Sequence, residues 1–237
     1  MYRNSAGARE EVMAYFPLYI DLEQKECIVI GGGRVAEGKV RQLRSFGARV
    51  CVISPEVTAP LQKMAERGEI HWLCACFPIG EQWEKMLADS TLVVAATNYN
   101  DVNRQVSEAC RQAGVPVNVV DVKELCTFFF PAIVRQGDVV VGISTSGQSP
   151  ALAARIRREL ETAIPEEYGR AAELLGACRE EILARVPDGA ERKKLFEAML
   201  AELLGDDATP EHRAAGRAAG GCDRLENDKN NGEESGR

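Results

Sequence analysis

The chain has 237 residues, of which 45% are hydrophobic, and a formal net charge of −7. This length accommodates one α/β domain and a smaller partner with a sizeable core, and the acidic balance argues against broad binding to nucleic acid or to acidic membranes. No apolar run reaches the length of a membrane span, and residues 1–14 lack the apolar segment of a secretion signal, so the sequence predicts a cytoplasmic protein that binds neither nucleic acid nor membrane.

The first part of the chain changes from polar to apolar. Residues 1–14 are polar and charged, and we interpret them as a flexible leader. The segment 16–22 that follows is apolar, and we expect it to pack against the sheet before the first strand.

Three consecutive glycines predict a strand, a tight turn and a helix. A run rich in β-branched residues, 27–30, leads directly into Gly31, Gly32 and Gly33, and an amphipathic segment follows. The spacing Gly31-x-Gly33-x-x-Ala36 fits the dinucleotide fingerprint, in which the backbone approaches a pyrophosphate at the N-terminus of a helix. A purely structural glycine turn is the alternative, and the flanking strand and helix favour the dinucleotide site.

Strand and helix patterns alternate after this loop. Such alternation predicts βαβ units, a parallel sheet and a Rossmann-like domain. The further strands are predicted at 49–55, 69–74, 91–97 and 115–121, and the intervening helices at 57–67, 81–88 and 101–113.

The ends of the strands supply the candidate site residues. Pro55 and Glu56 follow the second strand, where the Rossmann fold places an acidic partner for the adenosine ribose. Glu56 either makes this contact or is a solvated residue before the next helix. No arginine follows the strand to receive a 2′-phosphate, which favours NAD over NADP. Thr97 and the segment 118–121 should line the same crevice.

The alternation ends after Asp121. Two apolar strands at 128–134 and 138–145, joined by a turn, predict an antiparallel extension that either forms a dimer surface or packs on the first domain. The hydroxyl-rich segment 144–150 predicts a turn with Ser149 as N-cap and Pro150 as the first residue of a helix.

The remaining sequence is helical to Leu204, with breaks at Pro165 and Pro187. Residues 206–237 are polar and rich in glycine, and we interpret them as a disordered tail.

The eight cysteines are scattered, as is usual for reduced cysteines. Only Cys74 and Cys76 are closely spaced, and with His71 they suggest a metal cluster. Alternation at a strand end explains the pair better, so we predict no metal site.

Several separate motifs together resemble the precorrin-2 dehydrogenase family, which comprises the N-terminal module of siroheme synthase and its dehydrogenase/ferrochelatase relatives. The resemblance covers residues 15–165 closely and the helical part loosely. It rests on Phe16-Pro17-Leu18, Gly31-Gly32-Gly33-x-Val35-Ala36-x-x-Lys39, Ala95-Ala96-Thr97-Asn98 with Asn103, Asn118-Val119-Val120-Asp121, Phe130-Pro131-Ala132 and the segment 144–153.

The resemblance implies NAD-dependent oxidation of precorrin-2 to sirohydrochlorin, a homodimer and, in some members, insertion of ferrous iron. It implies a catalytic role for Asp121 and places Thr145 beside the active site. It also implies that Arg34 and Val35, after the glycines, and Pro55 and Glu56, after the second strand, contact the nucleotide. Two departures concern Gly38, where arginine is common, and Ser146, where glycine is usual.

The implied architecture is a Rossmann-like parallel sheet, a strand-rich dimerisation region and a C-terminal helical domain. We set the boundaries at 1–14 for the leader, 15–127 for the NAD-binding domain, 128–163 for the dimerisation region, 164–205 for the helical domain and 206–237 for the tail.

Two other functions remain open at this point. A regulatory domain that senses NAD would have the same fold without catalysis, although Asp121 and the hydroxyl-rich loop argue against it. A metallochaperone that uses Cys74 and Cys76 would carry stoichiometric metal.

Overall fold

A computed structural model describes residues 15–78 and 80–205. The described chain divides into two compact units. The first comprises 15–131 with 144–149, and the second comprises 132–143 with 150–205. The predicted leader and the predicted tail lie outside the described residues.

The first unit is built on a five-stranded parallel sheet with the strand order β3-β2-β1-β4-β5. The order reverses at β1, which pairs with β2 on one side and with β4 on the other. The strands are β1 (Glu26–Ile30), β2 (Arg49–Ile53), β3 (His71–Leu73), β4 (Leu92–Ala95) and β5 (Val117–Val119), and the helices are α1 (Arg34–Arg44), α2 (Ala59–Glu66), α3 (Glu81–Ala88) and α4 (Asn100–Ala113). The predicted Rossmann-like fold is confirmed.

Helices on both faces explain why the central strands are apolar throughout. Cys27 and Val29 of β1 point into a cluster with α1, whereas Ile28 and Ile30 point into a second cluster with α4. All four side chains are at most 2% exposed. A strand buried on both faces has a continuous apolar sequence, which is why 27–30 was recognisable as a parallel strand.

The second unit contains a hairpin and three helices. Strands β6 (Ala132–Gln136) and β7 (Val139–Ile143) pair antiparallel, as predicted, and are followed in the sequence by α5 (Pro150–Ala163), α6 (Glu166–Arg185) and α7 (Gly189–Leu204). The helix breaks lie at Pro165 and Pro187, as predicted. Gly169 of α6 lies so close to the carbonyl of Gln136 that a Cβ there would overlap it, and this contact fixes α6 against the hairpin.

Two expectations about apolar segments were wrong. The segment 16–22 does not pack against the sheet, since Phe16 is 86% exposed and Leu18 is 72% exposed, and only Leu22 contacts the core. The first hairpin strand begins at Ala132 rather than at 128, because Pro131 has no N–H for the ladder and the phenylalanines before it pack on the first unit instead. None of the helices in the described ranges is long and apolar enough to cross a membrane.

Candidate dinucleotide and substrate site

Two of the three glycines are required by close backbone neighbours. Gly31 has a φ of 115°, and a Cβ there would overlap the carbonyl of Ala96 at the end of β4. A Cβ on Gly32 would overlap the carbonyl of Glu56 in the loop after β2. The glycine loop therefore touches the loops that follow both neighbouring strands, and the three loops converge where the strand order reverses. Open α/β sheets bind ligands in such a crevice.

Gly33 differs from the other two because the space beside it is empty. It is the N-cap residue of α1, it has a φ of −79°, and a Cβ there would meet nothing within 4 Å. No side chain caps the helix, and the first hydrogen bond of this turn is donated by the Glu37 N–H to the Gly33 carbonyl at 2.9 Å. The N–H groups of the first turn are therefore available to an anion, as a dinucleotide pyrophosphate requires.

The loop after β2 is held against the glycine loop by several hydrogen bonds. Thr58 N–H donates to the Gly32 carbonyl at 2.9 Å, and the Thr58 hydroxyl donates to a Glu37 carboxylate oxygen at 2.8 Å. The bond from Thr58, followed by that from Arg41, lowers the pKa of Glu37 and favours the carboxylate that accepts both. The side chain of Glu56 is exposed at this loop.

The loop after β4 is organised by one buried amide. Asn103 is 3% exposed, and its oxygen accepts from the Thr97 hydroxyl at 2.8 Å and from the Thr97 N–H at 3.3 Å. Its nitrogen donates to the Thr97 carbonyl at 3.0 Å. Asn103 thus holds Thr97 at the edge of the crevice through hydrogen bonds to its N–H, its hydroxyl and its carbonyl.

Asp121 lies in the turn after β5, at the same edge of the sheet. It is exposed and has a φ of 61°, a left-handed conformation that aspartate tolerates better than most residues. The strand before it is anchored by buried Asn118, whose amide donates to the Phe128 carbonyl at 3.0 Å. The carboxylate is therefore held on a constrained turn with its side chain open to a ligand.

The hydroxyl-rich loop, residues 144–149, belongs to the same unit. The Thr145 hydroxyl accepts from the Ser149 N–H and donates to the Ser149 carbonyl, both at 3.1 Å. Ser146 has a φ of 53°, which explains why glycine suits this position. The next residue, Gly147, lies beside the aliphatic chain of Lys123, two residues after Asp121.

The structure brings together all seven residues predicted for the nucleotide. Gly31 and Gly33 form the centre of the site, and the other residues lie on the adjoining turns and loops: Arg34, Val35, Pro55, Glu56 and Thr97. Asp121 follows the neighbouring strand β5, and the loop of Thr145 lies beside Lys123.

Three contributing residues were missed as site residues. Gly32, Thr58 and Asn103 shape the loops, but their partners are distant in sequence or depend on the folded loop. Sequence spacing offered no signal for Thr58, whereas Asn103 belonged to one of the quoted motifs. No group of three potential metal-ligating side chains occurs among the described residues.

Three family models match successive parts of the chain. A model described as "Putative NAD(P)-binding" matches residues 18–132, one for the sirohaem biosynthesis protein central region matches 136–163, and one for the sirohaem synthase dimerisation region matches 167–220. The chain is therefore similar, over 136–163 and 167–220, to the central and dimerisation regions of sirohaem biosynthesis proteins.

Curated siroheme synthases have similar sequences over most of this chain. The siroheme synthase of Methylobacillus flagellatus is 36% identical over 207 residues, which are 87% of this chain and 43% of the relative. That of Nitrosomonas europaea is 38% identical over 190 residues, 79% of this chain and 39% of the relative. The chain therefore spans less than half the length of these relatives.

A solved structure of SirC, precorrin-2 dehydrogenase, has the same fold. It aligns with a TM-score of 0.63 over 86% of this chain and 100% of SirC, at 22% sequence identity.

Proposed function

We propose that this protein oxidises precorrin-2 to sirohydrochlorin with NAD as the electron acceptor. The observation that carries the proposal is a dinucleotide-type crevice at the strand-order reversal with a carboxylate, Asp121, at the end of the adjoining strand. The similarity to siroheme synthases supports a tetrapyrrole as the substrate. In the reaction precorrin-2 loses a hydride and a proton, and NAD⁺ takes the hydride to become NADH.

The glycine loop and its neighbours would hold the dinucleotide. The open backbone at Gly33 and the first-turn N–H groups at Arg34 and Val35 receive the pyrophosphate. Pro55 and Glu56 would lie beside the adenosine ribose, where the exposed carboxylate of Glu56 would accept from a ribose hydroxyl and repel a 2′-phosphate. This arrangement favours NAD over NADP. NAD supplies a hydride acceptor, and the protein supplies its position.

Asp121 would act on the proton that leaves the substrate. An exposed carboxylate on a constrained turn can accept a proton or orient the tetrapyrrole beside the nicotinamide. Thr145 would have a supporting role, because its hydroxyl is engaged with both backbone groups of Ser149 and orders the loop.

Insertion of ferrous iron into sirohydrochlorin is a second step that the same carboxylate could assist. Pyrrole nitrogens must lose protons as the metal enters, and Asp121 is open to accept them. The step is measured separately, by the siroheme absorbance that appears when ferrous iron is added anaerobically to sirohydrochlorin and enzyme. No enzyme-dependent gain over the spontaneous rate would restrict the protein to dehydrogenation.

The protein is proposed to work as a homodimer in the cytoplasm. Large apolar side chains remain exposed on α5, α6 and α7, which lie in or next to the segment matched by the dimerisation model. They are Leu152, Leu174, Leu183, Leu195, Leu200 and Leu203. Light scattering of the purified protein should give twice the chain mass, and a monomer at micromolar concentration would contradict this.

An anaerobic turnover assay tests the proposed activity. Precorrin-2 with catalytic enzyme should yield the sirohydrochlorin chromophore only when NAD is added. Protein that binds NAD but leaves precorrin-2 unchanged would identify it as a nucleotide sensor instead.

A further inference from the structure

Cys74 and Cys76 differ from the other described cysteines in their exposure. Both side chains are exposed in the segment after β3, separated by the single half-buried residue Ala75. The remaining described cysteines are buried or half-buried: Cys27, Cys51, Cys110, Cys126 and Cys178. A reagent in solution therefore meets an adjacent pair of thiols at one place on the first unit.

The buried cysteines are also poor competitors for reaction. Burial raises the pKa of Cys27 and of Cys110 to about 12 and that of Cys51 to about 11. The thiolate is the nucleophile in disulfide exchange, so these groups stay inert at neutral pH. Among the described cysteines, the fold therefore favours reaction at the exposed pair over reaction at these three.

The exposed pair is joined to the nucleotide loop by a hydrogen bond. The Cys74 thiol donates to the Pro55 carbonyl at 3.3 Å. Two residues earlier, in β3, Trp72 Nε1 donates to the Ser54 carbonyl at 2.9 Å. Two donors from the β3 edge thus support the backbone that leads into Glu56, whose carbonyl lies against Gly32. A change at Cys74 acts directly on the adenosine side of the crevice.

We propose that Cys74 and Cys76 form a redox modification site for small disulfides of the oxidised glutathione class, and that its oxidation weakens dinucleotide binding. The consequence for binding rests on the proposed function, because it requires NAD in the crevice. Oxidation removes the thiol hydrogen with which Cys74 donates to the Pro55 carbonyl, and formation of the disulfide draws the Cys74 sulfur toward Cys76.

The chemistry balances as two successive exchanges. The Cys74 thiolate attacks one sulfur of the disulfide, which forms a mixed disulfide and releases one thiol. The Cys76 thiolate then attacks the Cys74 sulfur, forms the Cys74–Cys76 bond and releases the second thiol. The protein gives up two electrons and its two thiol protons, and the added disulfide is reduced to two thiols.

The experiment treats reduced full-length protein with oxidised glutathione and measures two quantities. Among the described cysteines, peptide mapping by mass spectrometry should find the modification only at Cys74 and Cys76. Calorimetric titration with NAD should show Kd rising by roughly threefold or more, the scale of one lost weak hydrogen bond, and dithiothreitol should reverse it.

For each variant, the Kd for NAD is measured before and after oxidation. Cys74→Ser should lose the response of NAD affinity. Cys76→Ser should keep it, because a mixed disulfide at Cys74 still forms but cannot close. A persistent response in Cys74→Ser would overturn the proposal.

The remaining outcomes separate the two proposals. A modified pair with unchanged NAD affinity, or modification at buried cysteines instead, would overturn the inference. If the reduced protein binds no NAD, the proposed function fails together with the effect on binding, while the peptide map still decides whether the pair is the modification site.

Discussion

Asp121 shows how a backbone angle determines which substitution is informative. At a φ of 61° most side chains are strained by about 1–2 kcal/mol, whereas asparagine and aspartate are tolerated. An alanine variant would therefore mix the loss of the carboxylate with backbone strain. Asparagine keeps the shape and most of the hydrogen bonding and removes only the charge and basicity.

Asp121→Asn should reduce precorrin-2 oxidation by roughly a hundredfold or more, with NAD affinity unchanged, because a general base is lost while the glycine loop is untouched. Steady-state kinetics and calorimetric titration of the folded variant provide the two readouts. A rate close to normal would exclude Asp121 as the catalytic group and make Thr145 or a bound water the next candidate.

Gly33→Asp should abolish NAD binding without unfolding the protein. The space beside Gly33 is open and its φ is −79°, so an aspartate side chain fits but places a negative charge where the pyrophosphate approaches. Gly38→Asp is the matched control, since Gly38 is also open to solvent on α1 and lies one turn further from the helix N-terminus. Unchanged NAD affinity in folded Gly33→Asp would remove the glycine loop from the site.

At the scale of elements, the loop after β4 depends on a single side chain. Asn103→Ala should lower the free energy of unfolding by about 1–3 kcal/mol and weaken NAD binding, because the Thr97 groups lose their buried partner. Chemical denaturation measures the first effect and titration the second. Asn100→Ala on the exposed face of α4 is the control and should change neither by much. Equal effects of the two changes would contradict this role for Asn103.

The elements that sequence predicted well are those whose signal is local. The run 27–30 is apolar because its strand is covered on both faces, and Pro165 and Pro187 interrupt helices through their own chemistry. The predictions that failed depend on residues that are distant in sequence and become neighbours only in the fold. A Cβ on Gly32 would overlap the carbonyl of Glu56, whereas a Cβ on Gly33 would meet open space. The sequence around the two glycines does not reveal this difference. The segment 16–22 was expected in the core because it is apolar, yet Phe16 is exposed.

For the whole molecule, composition predicts that removal of residues 206–237 is tolerated. The segment contains a single large aliphatic residue, Leu225, and no aromatic residue, so it has little apolar surface with which to build a core. Truncation after Gly205 should leave the melting temperature and the activity close to those of the full chain. A large fall in melting temperature, measured by calorimetry, would show that the segment stabilises the fold.

The two units have different proposed roles. The first unit provides the crevice, with its glycine loop, its fixed Thr97 and the carboxylate of Asp121. The second provides helices with exposed leucines, which we assign to self-association. We propose that this crevice couples oxidation of a tetrapyrrole to reduction of a dinucleotide.

The stoichiometry of one anaerobic reaction tests this coupling. Purified protein, precorrin-2 and excess NAD are mixed without oxygen, and sirohydrochlorin and NADH are quantified from the same sample over time. Coupled oxidation and reduction should give equal molar amounts of the two products at every time point, with no NADH in the Gly33→Asp variant. Sirohydrochlorin that accumulates without matching NADH would contradict it.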